Sequence, residues 1–131
     1  MKILCEVSVG ELIDKMTILE IKSKKIKDKE KLENIKDELS AVKITVKTYD
    51  FSEEVFSLKK ELKKINEHLW KIEDDIRAKE KKRKFDYEFV AIARSVYYKN
   101  DERFKIKNKI NKACNSRFSE EKSYEEYEKG E

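Results

Sequence analysis

The chain has 131 residues, enough for one domain, and 46% of them are charged, nearly twice the usual ~25%. Pro is absent and Gly occurs twice, so nothing in the interior forces a helix to kink and no Gly-rich phosphate loop can be built. The net charge of +4 is uneven: Ser119 to Glu131 holds six Glu against two Lys, leaving an acidic tail on a basic body.

The hydrophobic fraction of 38%, with six Phe, six Tyr and one Trp, is placed periodically and favours a packed core over disorder. Cys5 and Cys114 lie far apart, without CxxC spacing or a neighbouring His cluster, so no metal site is expected. Reduced thiols in a cytoplasmic protein are the expectation. The start, MKILCEVSVG, has too short an apolar run for a signal peptide. No stretch approaches the ~18 apolar residues of a membrane span.

Residues 2–7 read as a short extended lead-in. Ser8 with Glu11 forms a capping box, and Val7 with Leu12 occupies the positions of a hydrophobic staple. The first helix is expected over 9–27, with Leu12, Met16, Leu19 and Ile26 on its apolar face and Ile13 on the flank. Between Ile26 and Leu32 the apolar spacing slips, and Asp28 can cap a new start. The next face is Leu32, Ile35, Leu39, Val42 and Val46. The β-branched and aromatic stretch 45–49 weakens helix there.

Asp50 or Ser52 caps the third helix, with Glu53 and Glu54 favourable at its positive end. Val55, Leu58, Leu62, Ile65, Leu69, Ile72 and Ile76 then alternate steps of three and four, a heptad seam. A helix over 53–82 would be ~45 Å long. The charge run 79–84 (KEKKRK) ends it, and Asp86 caps the next. Asn100-Asp101 reads as a stop and restart, with a final helix over about 102–114. The tail has no helix-length apolar stripe and is expected to fray.

With Val55 at position a, Glu73 and Asp75 border the seam on opposite sides. Carboxylates so placed can build a divalent-metal site with other helices, but no Glu-x-x-His pair accompanies them, and the ordinary reading is ion pairing at i,i+4 with Arg77 and Lys79. Trp70 falls at position b, in one column with Phe56 and Arg77, outside the seam. Trp70 and Phe56 are therefore candidate interface anchors as well as core residues. His68, the only histidine, has no placed partner for a triad.

Arg94, Asn100, Asp101 and Arg103 crowd a polar and aromatic stretch. An Arg cluster there can bind a phosphate or carboxylate, or hold helices in register. Arg94 could reach Glu73 or Asp75. The run 79–84 could dock phosphates of nucleic acid, without a helix-turn-helix spacing to support it.

The segments VSVGELIDKMTILEIK (7–22), LWKIEDDIRAKE (69–80), ARSVYYKNDERFKIKNKIN (93–111) and EEKSY (120–124) resemble a family of small, functionally uncharacterised helical proteins of bacteria and their phages. The resemblance implies a stand-alone helical domain, no established activity, and interest in Glu73, Asp75, Arg77, Arg94, Asn100, Asp101 and Arg103, which match the family's polar motifs. A phage source would place the protein in host cytoplasm. The run ELIDKMTILEIKSKKI is also similar to the first helix of helical chorismate mutases, but the Arg and Lys residues that grip the substrate's carboxylates in that family have no match here.

The expected fold is all-α: an antiparallel bundle of four to five helices with a long central amphipathic helix (about 53–82). One domain should cover 1–118, followed by the acidic tail 119–131. Three functions are open. The first is an assembly module that binds itself or another protein. The second is a small-ligand protein or enzyme, in which Glu73, Asp75, Arg94 and Arg103 would converge on one cleft. The third is nucleic-acid binding through 79–84. No cofactor is identifiable and no membrane contact is expected.

Overall fold

The computed structural model describes residues 1–129, so Gly130 and Glu131 of the acidic tail lie outside the described residues. Four helices follow in order: α1 (Val9–Lys25), α2 (Lys29–Thr48), α3 (Glu53–Lys81) and α4 (Tyr87–Ala113). There is no strand among the described residues. The chain is an all-α bundle. α1 packs against each of the other three helices, and α3 packs against α4.

Local chemistry sets the helix starts. Ser8 Oγ accepts from the Glu11 N–H at 3.1 Å, Asp28 Oδ1 from Lys31 at 3.0 Å, and Asp86 Oδ1 from Phe89 at 2.9 Å. Each satisfies an amide that has no partner within its own helix. Ser52 is the cap residue of α3 but makes no side-chain cap bond. Only half of the Ser8–Glu11 capping box forms, because the Glu11 carboxylate turns instead to Lys107 at 2.9 Å. Val7 stays 52% exposed, which leaves the staple open.

α3 and α4 both stop in a left-handed residue. Arg83 (φ 52°) and Asn115 (φ 49°) let Lys84 N–H reach Lys79 O at 3.0 Å and Ser116 N–H reach Asn111 O at 2.8 Å. This is the Schellman closure, which normally selects Gly.

Two expectations change. The Asn100-Asp101 stop does not occur, because α4 runs unbroken through it. Asp101 directs its carboxylate to Lys122 and Tyr127 rather than to the local backbone. The propensity penalty of two such residues, under ~1.4 kcal/mol in total, is outweighed by packing on both sides. Stretch 45–49 stays helical to Thr48, with the Thr45 and Thr48 hydroxyls bonded back to Ala41 and Ile44 carbonyls.

The core is Ile13, Met16, Leu19, Leu39, Val42, Val46, Val55, Leu62, Ile106 and Ile110. Because α1 touches three neighbours, it is buried around most of its circumference. Gly10, Asp14, Thr17 and Ile21 are buried along with its apolar face. On α3 the buried residues are Val55, Leu62 and Asn66, so burial centres between heptad positions a and e. No residue from Glu67 to Lys105 is buried. Those residues form the far half of the α3–α4 hairpin.

Candidate functional site

A polar seam crosses the core where α1, α3 and α4 meet. Asp14, 1% exposed, accepts from Arg103 through both carboxylate oxygens and from Asn66 Nδ2 at 2.9 Å. The same Asn66 amide donates to Thr17 Oγ1 at 2.9 Å, and Thr17 donates onward to the Asp14 carbonyl at 2.8 Å. The network thus joins one residue pair from α1 with one residue each from α3 and α4. The Asp14 carboxylate, above all by hydrogen bonding, holds the Arg103 pKa above its usual value.

One turn away, Lys107 is 5% exposed and pairs with Glu11 at 2.9 Å and Glu120 at 2.8 Å. Burial pushes its pKa down, but the two carboxylates outweigh that and raise it. Beside it, Gly10 N–H donates to Asn111 Oδ1 at 2.6 Å. A Cβ on Gly10 would sit 2.5 Å from the Lys107 carbonyl oxygen, so α1 and α4 touch backbone to backbone here.

The tail from Ser119 to Lys129 is not helical, and it runs back along α4. Asn108 exchanges two bonds with the Glu120 backbone, at 2.9 and 3.0 Å. Lys122 pairs with Asp101 at 2.6 Å and lies over the Phe104 ring. Tyr127 donates its hydroxyl to Asp101 and packs edge-on against Tyr97. Hydrogen bonds from Lys122 and then Tyr127 hold the Asp101 pKa below the usual carboxylate range. The Tyr127 hydroxyl, bonded to that carboxylate, is pushed up to about 12.

The sequence candidates divide into groups. Trp70, Glu73, Arg77 and Arg103 line one cleft of about 440 Å³ between α1, α3 and α4. Its walls are Ile18, Ile21, Leu69 and Trp70. Asn66 and Arg103 lie deep in it, while Glu73, Asp74 and Arg77 are exposed at the rim. Asp75 and Arg94 do not line this cleft, so the expected convergence of Glu73, Asp75, Arg94 and Arg103 does not form as a set. Asp75 pairs with Lys71 at 3.0 Å and Glu73 with Arg77 at 2.9 Å, both exposed i,i+4 pairs worth ~0.2–0.5 kcal/mol each.

Arg94 reaches Tyr97 and Tyr98 at 3.3 and 2.8 Å rather than Glu73 or Asp75. Asn100 is exposed and Asp101 belongs to the tail contact. Phe56, 41% exposed, borders a separate shallow groove near the start of α3. It lies 14 residues, or ~21 Å along the helix, from Trp70. In the run 79–84, Lys79 is taken up by Asp86 and Glu88 at 3.0 and 3.1 Å. No group of three His, Cys, Asp or Glu residues among the described ones could hold a metal ion, and no helix is long and apolar enough to cross a membrane.

Asp14, Thr17, Asn66 and Asn111 were missed by sequence reasoning. The available signal was a polar residue inside an apolar face: Asn66 between Leu62 and Leu69, and Asp14 between Ile13 and Met16. A family model described as a family of unknown function, DUF6165, matches residues 1–128. No curated protein and no solved structure matches the chain.

Proposed function

The chain belongs to a family of unknown function, DUF6165, and from its geometry we propose that it is an assembly module, pairing with a second copy through the far half of the α3–α4 hairpin. One observation carries the reading. Residues 67–105 include Leu69, Trp70, Ile72, Ile76, Phe89, Ile92 and Val96, yet none is buried. A two-helix hairpin alone encloses no core. Its stable solutions need a further layer.

The exposed side chains are also in line. Tyr87, Val90 and Tyr97 are 87%, 47% and 42% exposed. They recur on α4 at steps of three and seven, one stripe of a helix, and Phe85 (54%) extends it at the turn. The far half is ~22 Å long and ~20 Å across two helices, a flat projection of about 440 Å², roughly half the ~800 Å² per partner that specific interfaces bury.

A second copy suits the surface better than a strongly charged partner. Lys71, Glu73, Asp75 and Arg77 balance in charge along α3, so the same patch can meet itself about a two-fold axis. The paired hairpins would form a four-helix layer with the α3 heptads as a coiled-coil-like seam. The setting proposed is the cytoplasm, where Cys5 and Cys114, which form no disulfide with each other, would stay reduced.

Sedimentation of the intact chain against Val90→Glu tests this. Val90 is half-exposed, so the variant should keep its helical circular dichroism. A wild-type dimer that becomes monomeric in the variant is expected. A wild type that stays monomeric at ~100 μM, well above a functional dissociation constant in the μM range, would end the reading. So would a dimer indifferent to Val90→Glu.

A further inference from the structure

The cleft between α1, α3 and α4 has a feature that helix packing alone does not need. Asn66 is 6% exposed and donates both amide hydrogens inward, to Asp14 and Thr17. Its Oδ1 accepts no hydrogen bond among the described residues, and Asn66 lines the cleft. The oxygen is not sealed from solvent, so it stands open to a donor that enters the cleft. Beside it, Arg103 uses Nε and Nη2 on Asp14, which leaves Nη1 unengaged among the described residues. Asn66 and Arg103 both line the cleft, which therefore holds one open acceptor and one open donor.

The charges around these two groups balance. Arg103 is neutralised by Asp14, Arg77 by Glu73, and Lys22 and Asp74 stand on the lining with opposite signs. A phosphate or dicarboxylate would find no net positive field. The walls are aliphatic apart from Trp70, whose indole can cover a flat ring. A volume of about 440 Å³ falls within the range of small-molecule sites, ~300–1,000 Å³.

We propose that this cleft binds a neutral, planar small molecule through an amide-type edge, its N–H donating to Asn66 Oδ1 and its adjacent C=O accepting from Arg103, with its ring against Trp70. Lactams and imides, the nucleobase edge among them, have that pattern. The inference does not rest on the assembly reading: the cleft takes part of its lining, Trp70 included, from the far half of the hairpin, but the Val90 stripe is not part of that lining, and the Val90→Glu variant separates the two.

Trp70 is the only tryptophan, so its emission reports on the cleft directly. The intact chain, and separately the Val90→Glu variant, would be titrated with uracil, with 1,3-dimethyluracil, which keeps the ring but has no N–H, and with inorganic phosphate. Saturable quenching by uracil, at least ten-fold weaker binding of the dimethyl compound and no response to phosphate are expected. A ten-fold loss corresponds to about 1.4 kcal/mol, the scale of one buried hydrogen bond left unmade. The paired probes avoid any variant of Asn66, which could fail to fold. Equal binding of the two pyrimidines, purely linear quenching, or no response to uracil at millimolar concentration would each overturn the proposal. Binding retained in Val90→Glu supports it whatever becomes of the dimer.

Discussion

Gly10→Ala should destabilise this protein, although the same change in a free helix stabilises it by up to ~1 kcal/mol. The added methyl would meet the Lys107 carbonyl oxygen at 2.5 Å and Asn111 Oδ1 at 2.9 Å. Neither neighbour can give easily. The first is helical backbone within the C-terminal part of α4, and the second is the acceptor of the Gly10 N–H at 2.6 Å. Relief requires α1 and α4 to part by several tenths of an ångström. That loosens the Gly10–Asn111 bond, worth ~1 kcal/mol, and overpacks a contact at ~1–3 kcal/mol. Setting these against the helical gain leaves a net loss of ~1–3 kcal/mol. For a domain of this size the melting temperature should fall by ~3–10 °C. Urea unfolding followed by circular dichroism measures it, with Ser40→Ala on the exposed face of α2 as a propensity control. An Ala variant as stable as the parent would refute a backbone contact between α1 and α4 at this point.

Three further outcomes follow from the same geometry. Asp14→Ala leaves Arg103 and Asn66 facing a void and should cost about 3 kcal/mol, the lower end for a broken buried pair because the Arg103 side chain is 29% exposed; Asp14→Ala/Arg103→Leu should recover part of it in the same denaturation assay. Arg83→Gly relieves the left-handed residue that closes α3 and should stabilise by ~0.5–1 kcal/mol in thermal melts. The tail contact should respond to pH at both ends. Asp101 has a lowered pKa, so its contribution is present above the ordinary carboxylate value of ~4 and is lost as pH falls through the lowered one. Tyr127 is raised to about 12, so its contribution is full below the ordinary ~10 and lost as pH climbs toward 12. Proteolytic cleavage between 119 and 129 should therefore be slow from pH ~4 to ~10, and Tyr127→Phe should accelerate it within that window.

The helix boundaries were legible because their chemistry is local. The slip from Ile26 to Leu32 exposed the break at Asp28, and Ser8 and Asp86 cap as their side chains dictate. Asn100-Asp101 was misread for the complementary reason. Its local preference is weak, and packing of α4 against both α1 and α3 overrides it. The Asp101–Lys122–Tyr127 contact joins residues 21 and 26 positions apart, through charged and aromatic groups that a hydrophobic period does not register.

The seam of α3 was found, but not which part of it is covered. Heptads specify a face, and nothing in them says that α1 reaches Asn66 and leaves residues beyond it unburied. The cleft was half legible. Trp70, Glu73, Arg77 and Arg103 were singled out for their types, whereas Asp75 and Arg94 could not be excluded without knowing how α4 is rotated against α3. Asp14 and Asn66 announce themselves only as polar residues in apolar company, a pattern that points to burial and not to its partners.

Amide hydrogen exchange across Tyr87 to Tyr98, measured at several protein concentrations, tests self-assembly most directly. These amides lie on a helix half with no buried residue in the single chain, where opening is expected to be easy. The expected result is protection that climbs with concentration, since a second copy stabilises the covered state by mass action, and that disappears in Val90→Glu. Protection that is uniform across concentration, or equal in the variant, would contradict it.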